Sequence, residues 1–138
     1  MQKPSISYWI ITTILTLWNA FGMYAVFGDP YLLGYGAIEP DQLKMLEARP
    51  AWALAGSVTA VVAGVLAGLM MLARRKIART FFVTSLIGLI LQDIWFFGNE
   101  TARTALPSGF AGLQAAIVVS ILVGLWTCQR AIAKGSMR

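Results

Sequence analysis

Arg74-Arg75-Lys76-Ile77-Ala78-Arg79 places four basic residues in six positions, between two long apolar runs. Basic residues concentrate on the cytoplasmic side of membrane spans. The stretch therefore reads as a cytoplasmic turn, and it orients the spans on either side.

Working outward, Ala51–Ala73 precedes the turn and Thr80–Gly98 follows it, each without Lys or Arg. Ile6–Phe27 and Gly112–Ala133 complete a set of four apolar segments. About 20 apolar residues cross a hydrocarbon core of roughly 30 Å. The expected fold is one all-α domain, residues 1–138, forming a transmembrane four-helix bundle. Outer loops are expected at 28–50 and 99–111, and a cytoplasmic turn at 74–79. The first segment reads as a span rather than a cleaved leader, because its apolar run exceeds the usual 7–15 residues.

Composition agrees. Hydrophobic residues make up 58% and charged residues 12%, against about 25% charged in soluble domains. The net charge of +5 does not point to nucleic acid, since the basic residues stand at the ends of apolar runs. With four spans, Lys3, Arg74, Arg75, Lys76, Arg79, Arg130, Lys134 and Arg138 share one side, without an acid. Lys44, Arg49 and Arg103 share the other with Asp29, Glu39, Asp41, Glu47 and Glu100. Every boundary then predicts one orientation, with both termini in the cytoplasm and the lipid bilayer as solvent.

The outer loops carry local signals. Gly28-Asp29-Pro30 reads as a turn, followed by Tyr31, Leu32, Leu33 and Tyr35, which suit a headgroup region. Pro40–Arg49 predicts a short helix ended by Pro50, with Leu43, Met45 and Leu46 on the membrane surface and Asp41, Lys44 and Glu47 in water. Trp95, Phe96 and Phe97 predict an aromatic belt. Asn99-Glu100-Thr101 matches a glycosylation sequon, discounted because it abuts the membrane.

Small residues recur every fourth position: Gly56, Ala60, Gly64 and Gly68 in the second span, and Gly112, Ala116, Ser120 and Gly124 in the fourth. In lipid such stripes let helix backbones approach. They suit packing within the monomer or a dimer interface.

Asp93 is the one acid within a span. It lies about five residues before Gly98, roughly 7–8 Å below the boundary at 1.5 Å per residue. Intramembrane ionisable residues usually have partners, here Gln92, Asn19 and Arg103. The cluster reads as a polar clasp between the first and third spans, or as a proton or solute contact. Leu17-Trp18-Asn19-Ala20-Phe21-Gly22 and Leu91-Gln92-Asp93-Ile94-Trp95 share character, a faint mark of two parallel hairpin repeats. No histidine is present, so histidine-based catalysis and histidine ligation of zinc or haem lack their residues. Cys128, the single cysteine, reads as a packing residue. No catalytic residue, metal site or cofactor is expected.

Trp18-Asn19 with Gly22, Pro50-Ala51-Trp52, Leu72-Ala73-Arg74-Arg75-Lys76 with Ala78, and Ser85-Leu86 with Gly88 and Gln92 together resemble a group of small four-span inner-membrane proteins of proteobacteria. Members are often labelled sugar transporters or left uncharacterised. The resemblance covers most of the chain and implies a bacterial inner membrane; it assigns no catalytic residue. Two functional classes follow. The leading one is an accessory or scaffold subunit that binds another membrane protein or itself. The other is a small-solute transporter, acting as a homodimer because four helices alone hardly enclose a sugar and alternate its access.

Overall fold

The computed structural model describes residues 2–27 and 40–138; the expected turn and tyrosines of 28–39 lie outside the described residues. Six helices are seen there: α1 (Ile6–Phe27), α2 (Pro40–Ala48), α3 (Ala51–Leu72), α4 (Ala78–Gly98), α5 (Glu100–Ala105) and α6 (Phe110–Ala133). Four of them, α1, α3, α4 and α6, are long and apolar enough to cross a membrane.

The helix ends follow local chemistry. Pro50 is the residue before α3, and its extended backbone (φ −68°, ψ 155°) separates α3 from α2. The basic turn is tighter than expected, because Ala78 and Arg79 already belong to α4. α3 stops on a left-handed residue, Arg74 (φ 57°). The Arg74 amide donates to Met71 O and the Arg75 amide to Met70 O, both at 2.8 Å. α6 stops in the same way on Gly135 (φ 65°), with amide bonds from Gly135 to Ile132 O and from Ser136 to Ala131 O. Glycine suits that conformation and arginine does not. The Arg74 side chain compensates: its Nε donates to Ser136 O at 2.9 Å and its Nη2 to Gln2 O at 3.1 Å. The tail also pairs with the turn, Arg138 N to Arg74 O (2.8 Å) and Lys76 N to Arg138 O (2.7 Å). The residues before α1, the basic turn and the residues after α6 therefore meet at one end of the bundle.

The small-residue stripe of α3 does two jobs. A residue advances about 100° around a helix, so four positions overshoot one turn by about 40°. From Gly56 to Gly68 the stripe drifts by about 120° on that basis. Its first part meets α4: a Cβ at Gly56 would stand 2.7 Å from Gly88 O, and one at Gly88 would stand 2.7 Å from Ala60 N. Its second part meets α1: a Cβ at Gly68 would stand 2.5 Å from Thr16 Oγ1, and one at Gly64 would collide with Asn19 Oδ1. α3 is thus wedged between α4 and α1, and its stripe is consumed within the monomer.

The matching stripe of α6 does not pack as a unit. Gly124 lies under the Phe82 ring, 2.5 Å from its would-be Cβ. Gly112 has nothing near it, and Ala116 is exposed. The same drift carries Gly112 about 120° away from Gly124. The buried face of α6 instead runs through Gln114, Ile121, Gly124, Cys128 and Ala131, a spacing nearer 3.5, which stays on one side of a helix. α6 consequently leans on α4 and touches α1 less closely.

At the end away from the basic turn, a small apolar cap replaces the expected belt. Met45, Ala53, Trp95, Phe96 and Ala102 form one buried cluster. Trp95 and Phe96 pack inward, with Phe96 5.0 Å from the Phe110 ring; Phe97 remains partly exposed. Met45 is buried in this cap rather than resting on a membrane surface, because α2 folds over α5. Asp41, Lys44 and Glu47 face outward as expected. Asn99 is a helix cap: its Oδ1 accepts from the Ala102 amide at 3.0 Å, satisfying a free N–H of α5.

Candidate ligand cavity

The loose seat of α6 leaves a cavity of about 310 Å³ between the four long helices, in the half of the bundle near the apolar cap. That volume lies at the lower end of the range for small-molecule pockets, about 300–1,000 Å³. α1 contributes Trp18, Asn19 and Gly22; α3 contributes Ser57, Ala60 and Val61. α4 contributes Ser85, Leu89, Gln92 and Phe96, and α6 contributes Phe110, Gln114, Ile117 and Ile121.

The polar groups form a connected set. Ser57 Oγ donates to Gln92 Oε1 at 2.5 Å, and Gln92 Nε2 donates to Gln114 Oε1 at 3.4 Å. This links α3, α4 and α6 through buried side chains. Ser85 Oγ donates to Ala60 O at 2.6 Å. Asn19 Nδ2 donates to Leu15 O at 2.7 Å, one turn back along α1. Among the described residues the Gln114 amide nitrogen has no acceptor, although Gln114 is largely buried at the cavity wall. Arg49, between α2 and α3, brings the one charged group among the described residues to the lining. Burial lowers its pKa from the usual arginine value, yet arginine keeps its proton in proteins.

The four residues expected to cluster separate into three places. Gln92 and Asn19 both line the cavity. Asp93 follows Gln92 by about 100° around α4 and is not part of the lining; its Oδ1 is buried without a hydrogen-bond partner among the described residues. Arg103 is exposed on α5; among the described residues it forms no ion pair, and the one ion pair there is Lys44–Asp41, at 3.9 Å. The expected clasp between the first and third spans is therefore replaced. Gln92 reaches Ser57 and Gln114, because the buried face of α4 runs through Ser85, Gly88, Leu89 and Gln92. Reading the sequence missed Ser57, Gln114 and Arg49. Gln114 carried a usable signal, an uncharged amide inside an apolar run. Ser57 carried almost none, since serine is tolerated anywhere in such helices.

Four helices long and apolar enough to cross a membrane, lining this open-sided cavity, define a small multi-pass membrane protein. Comparison with protein-family models, curated proteins and solved structures found no match to the chain.

Proposed function

We propose that the cavity binds a small, uncharged, hydrogen-bonding solute, and that the protein acts by binding rather than catalysis. The carrying observation is the Ser57–Gln92–Gln114 chain, which sets neutral donors and acceptors on a wall flanked by Trp18, Phe96 and Phe110. Along the Ser57–Gln92–Gln114 wall, neutral amides and hydroxyls recognise hydroxyl-bearing solutes without the desolvation cost of a buried charge; Arg49 is the charged exception among the described lining residues. Both serine hydroxyls of the wall donate to fixed acceptors and have no histidine to activate them. Asn19, Gly22, Ser85 and Gln92 carry much of the resemblance to the inner-membrane group labelled sugar transporters, and all four line the cavity. In this reading the protein is a solute transporter of a bacterial inner membrane that works as a homodimer, with both termini cytoplasmic. The acid-free basic end supports that orientation.

The test is binding of neutral hexoses, pentoses and polyols to purified protein by calorimetry. One class should bind, and Gln114→Leu should weaken it by about tenfold, the loss of one hydrogen bond, with thermal stability retained. Absence of binding, or binding indifferent to Gln114→Leu and Gln92→Leu, would reject the reading.

One observation favours an accessory role instead. α1 turns Ile6, Ile10, Ile14, Leu17 and Phe21 outward in a continuous apolar ridge, a surface that suits another membrane protein as well as lipid. Native mass spectrometry after gentle extraction separates the two. A defined heteromeric partner supports the accessory role, and a homodimer retaining a small solute supports transport.

A further inference from the structure

A second cleft, of about 590 Å³, opens at the basic end between the start of α1 and the end of α6. Lys3, Tyr8, Trp126, Thr127, Arg130 and Lys134 line it. None of the six acidic side chains belongs to Met1–Ser5, to the basic turn or to the residues after Ala133, and Lys3, Arg130 and Lys134 form no ion pair among the described residues.

Thr127 is the informative group. A helical threonine commonly donates to the carbonyl one turn back, as Thr16 does to Thr12 O (2.7 Å) and Thr84 to Thr80 O (2.9 Å). Thr127 is only 6% exposed and lines the cleft, yet its Oγ1 has no hydrogen-bond partner among the described residues. Tyr8 does not fill the gap, because its hydroxyl donates to Met71 O at 2.6 Å. The Arg130 guanidinium sits 4.6 Å over the Trp126 ring, and both residues line the cleft. On the same two helices, Ile10 and Ile14 of α1 and Val119 and Leu122 of α6 present exposed apolar walls.

We propose that this cleft binds a phosphate group carried by an anionic phospholipid of the adjoining leaflet. Lys3, Arg130 and Lys134 neutralise the phosphate, Thr127 Oγ1 donates to one of its oxygens, and the acyl chains run along the exposed walls. Basic pockets between spans suit anionic headgroups in this way.

The experiment is native mass spectrometry of the full chain in detergent, titrated with phosphatidylglycerol, with phosphatidylcholine, or with inorganic phosphate. One phosphatidylglycerol per chain should be retained in preference to phosphatidylcholine. The double variant Arg130→Gln and Lys134→Gln should weaken it by about thirty-fold, from roughly 1 kcal/mol per basic residue. Thr127→Val, close to isosteric and so a check on folding, should weaken it by about tenfold, from one hydrogen bond to a charged group. Equal retention of both lipids, or retention unaffected by all three substitutions, overturns the proposal. Inorganic phosphate that binds with the same sensitivity and displaces the lipid supports the phosphate chemistry and overturns its lipid source.

Discussion

The side-chain oxygen of Asn19 occupies the space in which a Cβ on Gly64 would stand. The two helices approach because one lacks a side chain and the other supplies a polar one anchored to its own backbone at Leu15 O. Ser85 Oγ stands 3.4 Å from the same point, so α1, α3 and α4 converge there. The contact lies at the cavity wall, which couples packing to the candidate site.

Gly64→Ala should therefore destabilise the protein by about 1–3 kcal/mol, the usual cost of overpacking. Adding Asn19→Ala should recover most of that loss, because it empties the contested space. Thermal unfolding of the single and double variants in detergent checks this. An additive double variant would mean that the two residues do not share the space.

Glycines along the chain should differ sharply in their tolerance. At Gly88 the obstacles are Ala60 N and Gly56 O, both at 2.7 Å, which are backbone atoms that cannot swing aside. Gly88→Ala should part α3 from α4 and lower stability by about 3 kcal/mol or more, at or beyond the upper end of overpacking costs. Gly112 has nothing within 4 Å, so Gly112→Ala should be neutral or stabilise α6 by up to about 1 kcal/mol through helix propensity. The ranking of the two melting temperatures is the measurement.

Arg74 combines an unfavourable backbone with favourable side-chain bonds. Arg74→Ala keeps the left-handed strain, about 1–2 kcal/mol, and loses the bonds to Ser136 O and Gln2 O. Arg74→Gly loses the bonds and removes the strain. The unaltered chain should be the most stable, Arg74→Gly intermediate and Arg74→Ala the least, read by thermal unfolding. Equal stability of the two variants would show that the strain contributes nothing.

Cys128 is fully buried, and Met137 Sδ lies 3.9 Å from its Sγ. Maleimide labelling of the folded protein should be slow. Met137→Gly, which opens the cover from the tail, should speed it severalfold without unfolding the bundle. Rapid labelling of the unaltered chain would count against the docked tail.

Orientation has its own check. A cytoplasm-active reporter fused after Arg138 should be active, since the basic end is expected inside. Activity only with an export-dependent reporter would reverse every statement about sides.

Much of the fold was legible in the residues. Ile6–Phe27 was bounded correctly because uninterrupted apolarity of span length has few other meanings. Gln92 and Asn19 were legible as site candidates, since uncharged amides are rare in such runs. Their true neighbours were not. Charge drew attention to Asp93 and Arg103, yet a shift of about 100° around α4 takes Asp93 off the cavity wall, and Arg103 is exposed on α5.

Sequence alone determined the number of long helices and their approximate extent, and grouped the basic residues at one end, because both follow from chemistry local to a short stretch. Tertiary structure decided what each helix face meets. A repeat of four drifts on a helix of 3.6 residues per turn, so two stripes of similar appearance met different fates. The stripe of α3 was divided between α4 and α1, while that of α6 was left partly bare. That imbalance opens the space between the helices, and no local pattern in the chain records it.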